Sequence, residues 1–339
     1  MTTTIRDVAK LSGVSVATVS RVINKTGYVS AETEAKVQEV MKRLDYEPNQ
    51  LARGLTAKKT KTIALIVPDI LNPFFPVLSR GVEDVTKLHG FTLILCNSDD
   101  SGIKEKSYID ILRKKYVDGM IIASNNLGLK EIKDLEQSNI PLVVLDRAQD
   151  IETNCVIRVD NFGGAIKAVQ HLLDVGCKKI AHIYGPLEYS TARERLAGYE
   201  EVVKKLPWFT PTLLVPGDFT IDGGKKATDE LLKIHPDVDG IFSGNDLMSI
   251  GVLKQLHNVN IKVPEQIAVC GFDGINLTEI TQPELTTVAQ PIYEAGKLAA
   301  ENLIARINNS KTGKEVIKLP VSLIVRDSTR KKVQEKNDI

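Results

Sequence analysis

The chain has 339 residues, 42% hydrophobic and 26% charged, with a net charge of +1, a composition that fits two or three globular domains and excludes a collagen-like or wholly disordered polypeptide. Of the 44 Lys and Arg and 43 Asp and Glu, the first 60 residues hold 10 and 6, so a basic head sits on a slightly acidic remainder and a polyanionic partner is expected for the head only. No apolar run approaches the roughly 18 residues of a membrane span and no signal segment is visible, so no membrane partner is expected and the protein is expected to stay in the cytoplasm.

Thr4-Ile5-Arg6-Asp7 has the spacing of a capping box and opens a short first helix with Ile5, Val8, Ala9 and Leu11 on its apolar side. Ser12-Gly13-Val14 is a turn. Ser15 then caps a second helix, Val16 to Asn24, with Val19, Val22 and Ile23 spaced i, i+3, i+4. A third helix, capped by Ser30, carries Val37, Val40, Met41 and Leu44 and completes a small core. Two short helices about a glycine turn make a helix-turn-helix. That motif puts Val16, Ala17, Thr18 and Arg21 at base edges in a major groove and leaves Thr4, Ser15 and Ser20 to contact phosphates.

The stretch from Tyr46 to Thr60 is helical by pattern: Asn49 can cap, Leu51 and Leu55 share a face, and lysines close it. Isolated helices below about 12 residues are marginal, and Gly54 costs about 1 kcal/mol more against Ala. The segment is therefore expected to be helical only when something outside it holds it.

The wording of Ile5-Arg6-Asp7-Val8-Ala9-Lys10, of Gly13 through Asn24 and of Tyr46-Glu47-Pro48-Asn49 closely resembles the headpiece of the LacI/GalR family of repressors, and the resemblance continues along the chain. It implies a helix-turn-helix domain over residues 1–47, a hinge helix over 48–60, and an effector-binding and dimerisation domain over 61–339. On the matching positions Asn24, Asn49 and Ala52 join the DNA contacts. Leu55 is the match for the leucine that wedges into the central base step of a pseudo-palindromic double-stranded operator. Such a wedge costs about a few kcal/mol of unstacking, offset by the contacts that bent DNA permits.

From Lys61 short apolar runs alternate with amphipathic helices: Thr62 to Val67, Thr92 to Leu95, Gly119 to Ile122, Leu142 to Leu145, Lys179 to Ile183, Gly240 to Phe242 and Ile267 to Cys270. β-Branched runs without alternation predict strands covered on both faces, hence doubly wound parallel sheets of an α/β fold. The runs fall into an N-lobe, about 61–160 plus 291–320, and a C-lobe, about 161–290 plus 321–330. A last helix near Ile292 to Arg306 and strands near Val316 to Leu319 and Leu323 to Val325 cross back between them. This arrangement resembles the periplasmic-binding-protein-like domain shared by the same family, in which the connecting strands form a hinge. The four cysteines, Cys96, Cys155, Cys177 and Cys270, have no CxxC spacing and are expected to be reduced core thiols.

Ligands of open α/β sheets bind beyond the carboxyl ends of the strands. The residues just past each run are Asn72-Pro73-Phe74-Phe75, Asp146-Arg147, Asn245-Asp246, Phe272-Asp273 and Gln290, with Arg195 on a later helix and Phe219 nearby. Amides, carboxylates, guanidiniums and phenyl faces suit a small neutral polyol. Taken singly, Asp146-Arg147 reads equally as a solvated ion pair, Phe74 and Phe75 as core, and Asn245-Asp246 as a helix cap. The set is similar to the ribose-contacting positions of bacterial ribose-binding proteins, which implies a ribose-responsive repressor. Purine-responsive members share Gly185-Pro186-Leu187-Glu188 and Arg195 to Gly198, but carry an arginine where Tyr189 stands. A third branch answers to a phosphorylated carrier protein. The same parts serve an inducer or a corepressor.

No GxxxxGK[ST], GxGxxG or GxSxG motif and no metal-type spacing among His89, His171, His182, His235 and His257 occurs, so neither an enzyme nor a cofactor is expected. The tail from Arg330 to Lys336 lacks leucine heptads, and a homodimer rather than a tetramer is expected.

Overall fold

The computed structural model describes residues 3–46, 60–114, 117–123, 134, 135, 137, 140–145 and 155–330. The chain divides into two units, Met1–Lys61 and Thr62–Ile339. Asn49, Ala52 and Leu55 of the expected hinge helix, Asp146 and Arg147 of the expected pocket, and the tail after Arg330 lie outside the described residues.

The first unit contains helices α1 (Ile5–Ser12), α2 (Val16–Asn24) and α3 (Ala31–Arg43). Each start is capped locally. The Asp7 carboxylate accepts from the Thr4 N–H at 2.9 Å and from its hydroxyl at 2.6 Å, bonds to the charged form that hold its pKa below the usual range. Ser15 Oγ accepts from the Thr18 N–H at 3.1 Å, and Ser30 Oγ from that of Thr33 at 3.3 Å. Gly13 ends α1 at φ +67°, a conformation that residues with a Cβ rarely adopt. Val8, Ala9, Val19, Val22, Val37 and Val40 form the core. Leu11 does not belong to it and is 49% exposed. The 3.6-residue period starting at Ile5 runs through Val8, Ala9 and Ser12, so Leu11 is rotated off the buried stripe. Ser12 takes that place, its hydroxyl donating to the Val8 carbonyl at 2.6 Å.

The second unit holds two sheets. One has the order β11-β5-β4-β3-β1-β2 and the other β12-β10-β9-β8-β6-β7. The strands of the first are β1 (Thr62–Val67), β2 (Thr92–Asn97), β3 (Gly119–Ile122), β4 (Leu142–Leu145), β5 (Cys155–Val159) and β11 (Glu315–Leu319). Those of the second are β6 (Ile180–Tyr184), β7 (Leu214–Pro216), β8 (Gly240–Ser243), β9 (Ala268–Asp273), β10 (Thr286–Ala289) and β12 (Ser322–Ile324). All pairings are parallel except β10 with β12. Along β1, Ile63, Leu65 and Val67 face one apolar cluster, while Ala64 and Ile66 face another on the opposite side. That two-sided burial is why the run carries no polar alternation. Strand β2 departs from it: as an edge strand it leaves Ile94 and Leu95 exposed.

Among the described residues, the first sheet is flanked by α4 (Phe74–Leu88), α5 (Gly102–Lys114) and α10 (Ile292–Ile307), and the second by α6 (Asn161–Asp174), α7 (Ser190–Val203), α8 (Ile221–Ile234) and α9 (Asp246–Asn258). The chain passes between sheets three times, after β5, after β10 and after β11. Three chain segments therefore connect the two lobes, the connectivity on which hinge closure depends. Among the described residues no helix is long and apolar enough to cross a membrane. All four cysteines are buried, and no disulfide joins them.

Candidate DNA-reading helix and effector pocket

On α2 the residues expected to meet DNA share an open side. Ser15, Val16, Ala17, Arg21 and Asn24 are exposed, whereas Val19 and Val22 point into the core. Thr18 and Ser20 are half-buried. Several polar groups are already engaged. Ser15 Oγ lies 2.9 Å from Thr18 Oγ1, and Asn24 Nδ2 donates to Ser20 Oγ at 3.1 Å, while the Thr4 hydroxyl is held by Asp7. These bonds order the rotamers that α2 presents.

In the second unit one cavity of about 430 Å³ opens between the lobes, within the range of about 300–1,000 Å³ typical of small-ligand sites. It sits at the carboxyl ends of the strands of both sheets, the position dictated by parallel α/β topology. Of the described residues of the expected set, Asn72, Phe74, Phe75, Arg195, Phe219, Asn245, Asp273 and Gln290 border it, and Tyr189 does so too, whereas Pro73, Asp246 and Phe272 do not.

The polar floor comes from the C-lobe. Asp273 ends β9 with a left-handed φ of +120°, a costly geometry held by its partners. Gln290 Nε2 donates to Asp273 Oδ1 at 2.7 Å, and the Arg195 guanidinium lies 3.2 Å from the same oxygen. Arg195 is itself fixed on three sides. It donates through Nε to Asn161 Oδ1 at 2.9 Å and through Nη1 to the Gly244 carbonyl at 2.6 Å, and its guanidinium lies 3.8 Å from the centre of the Phe272 ring. Asn245 caps α9, its Oδ1 accepting from the Met248 N–H at 2.9 Å while Nδ2 donates to the Phe219 carbonyl at 3.1 Å. Asn245 is thus a helix cap and also borders the cavity.

Asp246, its neighbour, does not border the cavity. It is fully buried behind Asp273, taking bonds from the N–H groups of Gly274 and Ile275 at 2.6 and 3.0 Å and from the Thr287 hydroxyl at 2.6 Å. It thereby fixes the turn that follows Asp273. Burial, then the charge of Asp273, raises Asp246 to about 8; burial raises Asp273 to about 6 against the opposing pull of Arg195.

The apolar walls are aromatic. Phe74 and Phe75 meet edge to face at 5.1 Å on the N-lobe side. On the C-lobe side Phe219, at φ +65°, lies so close to Gly185 that a Cβ there would stand 2.1 Å from its ring. Residues absent from the sequence reading also border the cavity: Asp69, Asp99, Asp100, Arg158, Thr191 and Asp218. Asp99 and Asp100 follow β2, which extends to Asn97 rather than ending at Leu95, so the strand-end rule applied two residues later reaches them. Asp218 follows β7, three residues long and too short to show a pattern. Among the described residues no cluster of three His, Cys, Asp or Glu side chains is arranged to hold a metal ion.

Two family models match the chain. Residues 4–49 match the family model for bacterial regulatory proteins of the lacI family, and residues 60–327 match that for periplasmic binding proteins and the sugar-binding domain of the LacI family. The chain is 44% identical to a ribose operon repressor of Halalkalibacterium halodurans over 97% of each sequence. It is 33% identical to a LacI family regulator of Enterococcus faecium solved with bound ribose, with a TM-score of 0.72 covering 79% of this chain and 98% of that one. A lac repressor dimer bound to operator and an anti-inducer superposes with a TM-score of 0.87 at 26% identity, covering 97% and 99%.

Proposed function

Since the chain belongs to the LacI family of bacterial transcriptional regulators, we propose that it represses a ribose uptake or utilisation operon, holding operator DNA until D-ribose enters the cleft. The observation that carries the reading is the joint placement of Arg195, Asp273 and Gln290 with the rings of Phe74, Phe75 and Phe219 around one cavity at the strand ends. A carboxylate accepts from two vicinal hydroxyls, a guanidinium and an amide donate to others, and phenyl faces cover the C–H side of a sugar ring. An uncharged pentose satisfies these groups together.

The DNA side of the proposal rests on α2. Arg21 takes a guanine edge, Val16, Ala17 and Thr18 meet neighbouring bases, and Thr4, Ser15, Ser20 and Asn24 set register on the backbone. Asn49 and Ala52 add contacts and Leu55 wedges into the operator centre. The protein acts without catalysis, in the cytoplasm, as a homodimer on a two-fold operator. The exposed Ile94 and Leu95 of edge strand β2, with exposed Leu88 just before it, offer an apolar surface for a second subunit.

Ribose acts as inducer only through a difference in its affinity for the two DNA-binding states, and operator must weaken ribose binding by the same factor; a coupling of about 1–3 kcal/mol is typical. Calorimetry with D-ribose, and with hypoxanthine and guanine in parallel, tests the reading. Saturable ribose binding that falls in the presence of operator supports it, and binding of a purine in place of ribose refutes it.

A further inference from the structure

The mouth of the cavity is bridged. Tyr189 belongs to the C-lobe, at the start of α7, and its hydroxyl donates to Oδ2 of Asp100, which belongs to the N-lobe in the turn after β2. Both residues border the cavity. Resting on the pocket assignment above, we propose that this pair is a closure latch, a bond between the lobes that holds the cleft shut over a bound sugar and sets how long it stays.

Both ends of the bond are held by their own lobes. The Tyr189 ring stacks on that of Phe219 at 6.1 Å with 12° between planes, and Phe219 is seated against Gly185. The hydroxyl is thereby aimed outward from a fixed ring. Asp99 and Asp100 both adopt left-handed φ, 48° and 55°, unusual for consecutive residues other than glycine. The turn is pinned to β1: the Asp100 N–H donates to the Pro68 carbonyl at 3.0 Å, and the Ser98 N–H to that of Val67 at 2.9 Å. Asp99 is tied to Lys104 and Asn97. A strained turn carrying a carboxylate to the rim is the kind of geometry that persists where the surrounding structure over-determines it.

Burial, reinforced by the Asp100 carboxylate, raises the Tyr189 phenol, so it stays a donor at every pH at which the protein works. A phenol donating to a carboxylate is a charge-assisted bond, stronger than a neutral one and specific in direction. Because its partners sit on opposite lobes, it exists only while the cleft is closed. The latch therefore favours closure itself, whatever the sugar touches inside.

Tyr189→Phe keeps the stack on Phe219 and removes only the hydroxyl; Asp100→Ala removes the acceptor. The experiment uses the full-length chain with nitroxide labels at two exposed positions on opposite lobes, introduced as Lys87→Cys on α4 and Lys233→Cys on α8, the native cysteines being buried. Lobe separation without ligand and the dissociation rate of D-ribose are read for the parent, both single variants and the double variant. The latch predicts that each single variant lengthens the separation and speeds dissociation about tenfold, matching the worth of a bond to a charged group. It also predicts that the double variant goes no further than either single one. Additive effects in the double variant, or an unchanged lobe separation in all of them, would overturn it. Absence of ribose binding by the parent would instead refute the ribose reading, and the ligand-free separations would still decide the latch.

Discussion

Arg195 is the cation on which the buried acid pair depends, and its removal gives the sharpest test of the site. Replacing it with Met keeps the unbranched apolar stem but deletes the guanidinium, with its charge, its hydrogen bonds and its stacking on Phe272. Asp273 loses its counterion, while Asn161 Oδ1 and the Gly244 carbonyl lose their donors. Arg195 and Asp273 are both almost fully buried, 5% and 8% exposed at the side chain, so solvent does little to screen the loss. Breaking one side of such a pair costs about 3–5 kcal/mol. At about 2–4 °C per kcal/mol for a large domain, Tm should fall by about 6–20 °C. Asp273→Asn behaves differently. It retains an oxygen for Arg195 and Gln290, relieves the repulsion with Asp246, and should change stability by less than about 1 kcal/mol while abolishing ribose binding. The double variant Arg195→Met with Asp273→Asn should therefore recover more than half of the loss. Scanning calorimetry of the four proteins at pH 7.5 measures the coupling. A Tm for Arg195→Met within 2 °C of the parent, or a double variant no more stable than Arg195→Met alone, would refute the account.

Raised carboxylate pKa values mean that the folded chain binds more protons than the unfolded one, so the contribution of Asp246 and Asp273 is full below about pH 4 and is lost as pH rises through the folded values, about 6 and 8. Buried His182, lowered to about 4, works with the opposite sign but only below its unfolded pKa of about 6.5. Tm should thus fall between about pH 6.5 and 8, and fall less in Asp273→Asn; a rise across that window in the parent contradicts the assignment. Gly81→Ala would place a Cβ 2.2 Å from the Tyr293 carbonyl where α4 crosses α10, and overpacking of about 1–3 kcal/mol should outweigh the gain in helix propensity. Denaturant unfolding with an unchanged or higher midpoint would count against that reading. Ser15→Ala should leave the Thr18 N–H without its cap and cost the first unit about 1 kcal/mol, seen as faster amide exchange along α2, with unaltered exchange the contrary result.

What the sequence determined by itself is local. Caps at Asp7, Ser15 and Ser30 and the left-handed Gly13 act within three or four residues, so the helix-turn-helix is legible from spacing alone. Strands buried on both faces announce themselves as apolar runs, and parallel topology then places a cavity at their carboxyl ends, which is why residues just past those runs, among them Asn72, Asn245, Asp273 and Gln290, border it together. Leu11 was misplaced because composition, not phase, marked it as apolar, and β2 because a sequence run does not say whether its strand will lie inside a sheet or at its edge. The tertiary structure alone decided the rest. That Asp246 turns inward and Asp273 outward depends on a strand ending in a strained conformation between Thr287 and Arg195, and the Tyr189 to Asp100 bond joins residues 89 apart on different lobes. Such pairings are set by how two sheets close on a hinge, and chain-local patterns carry no record of them because each partner sees the other only after both lobes have folded.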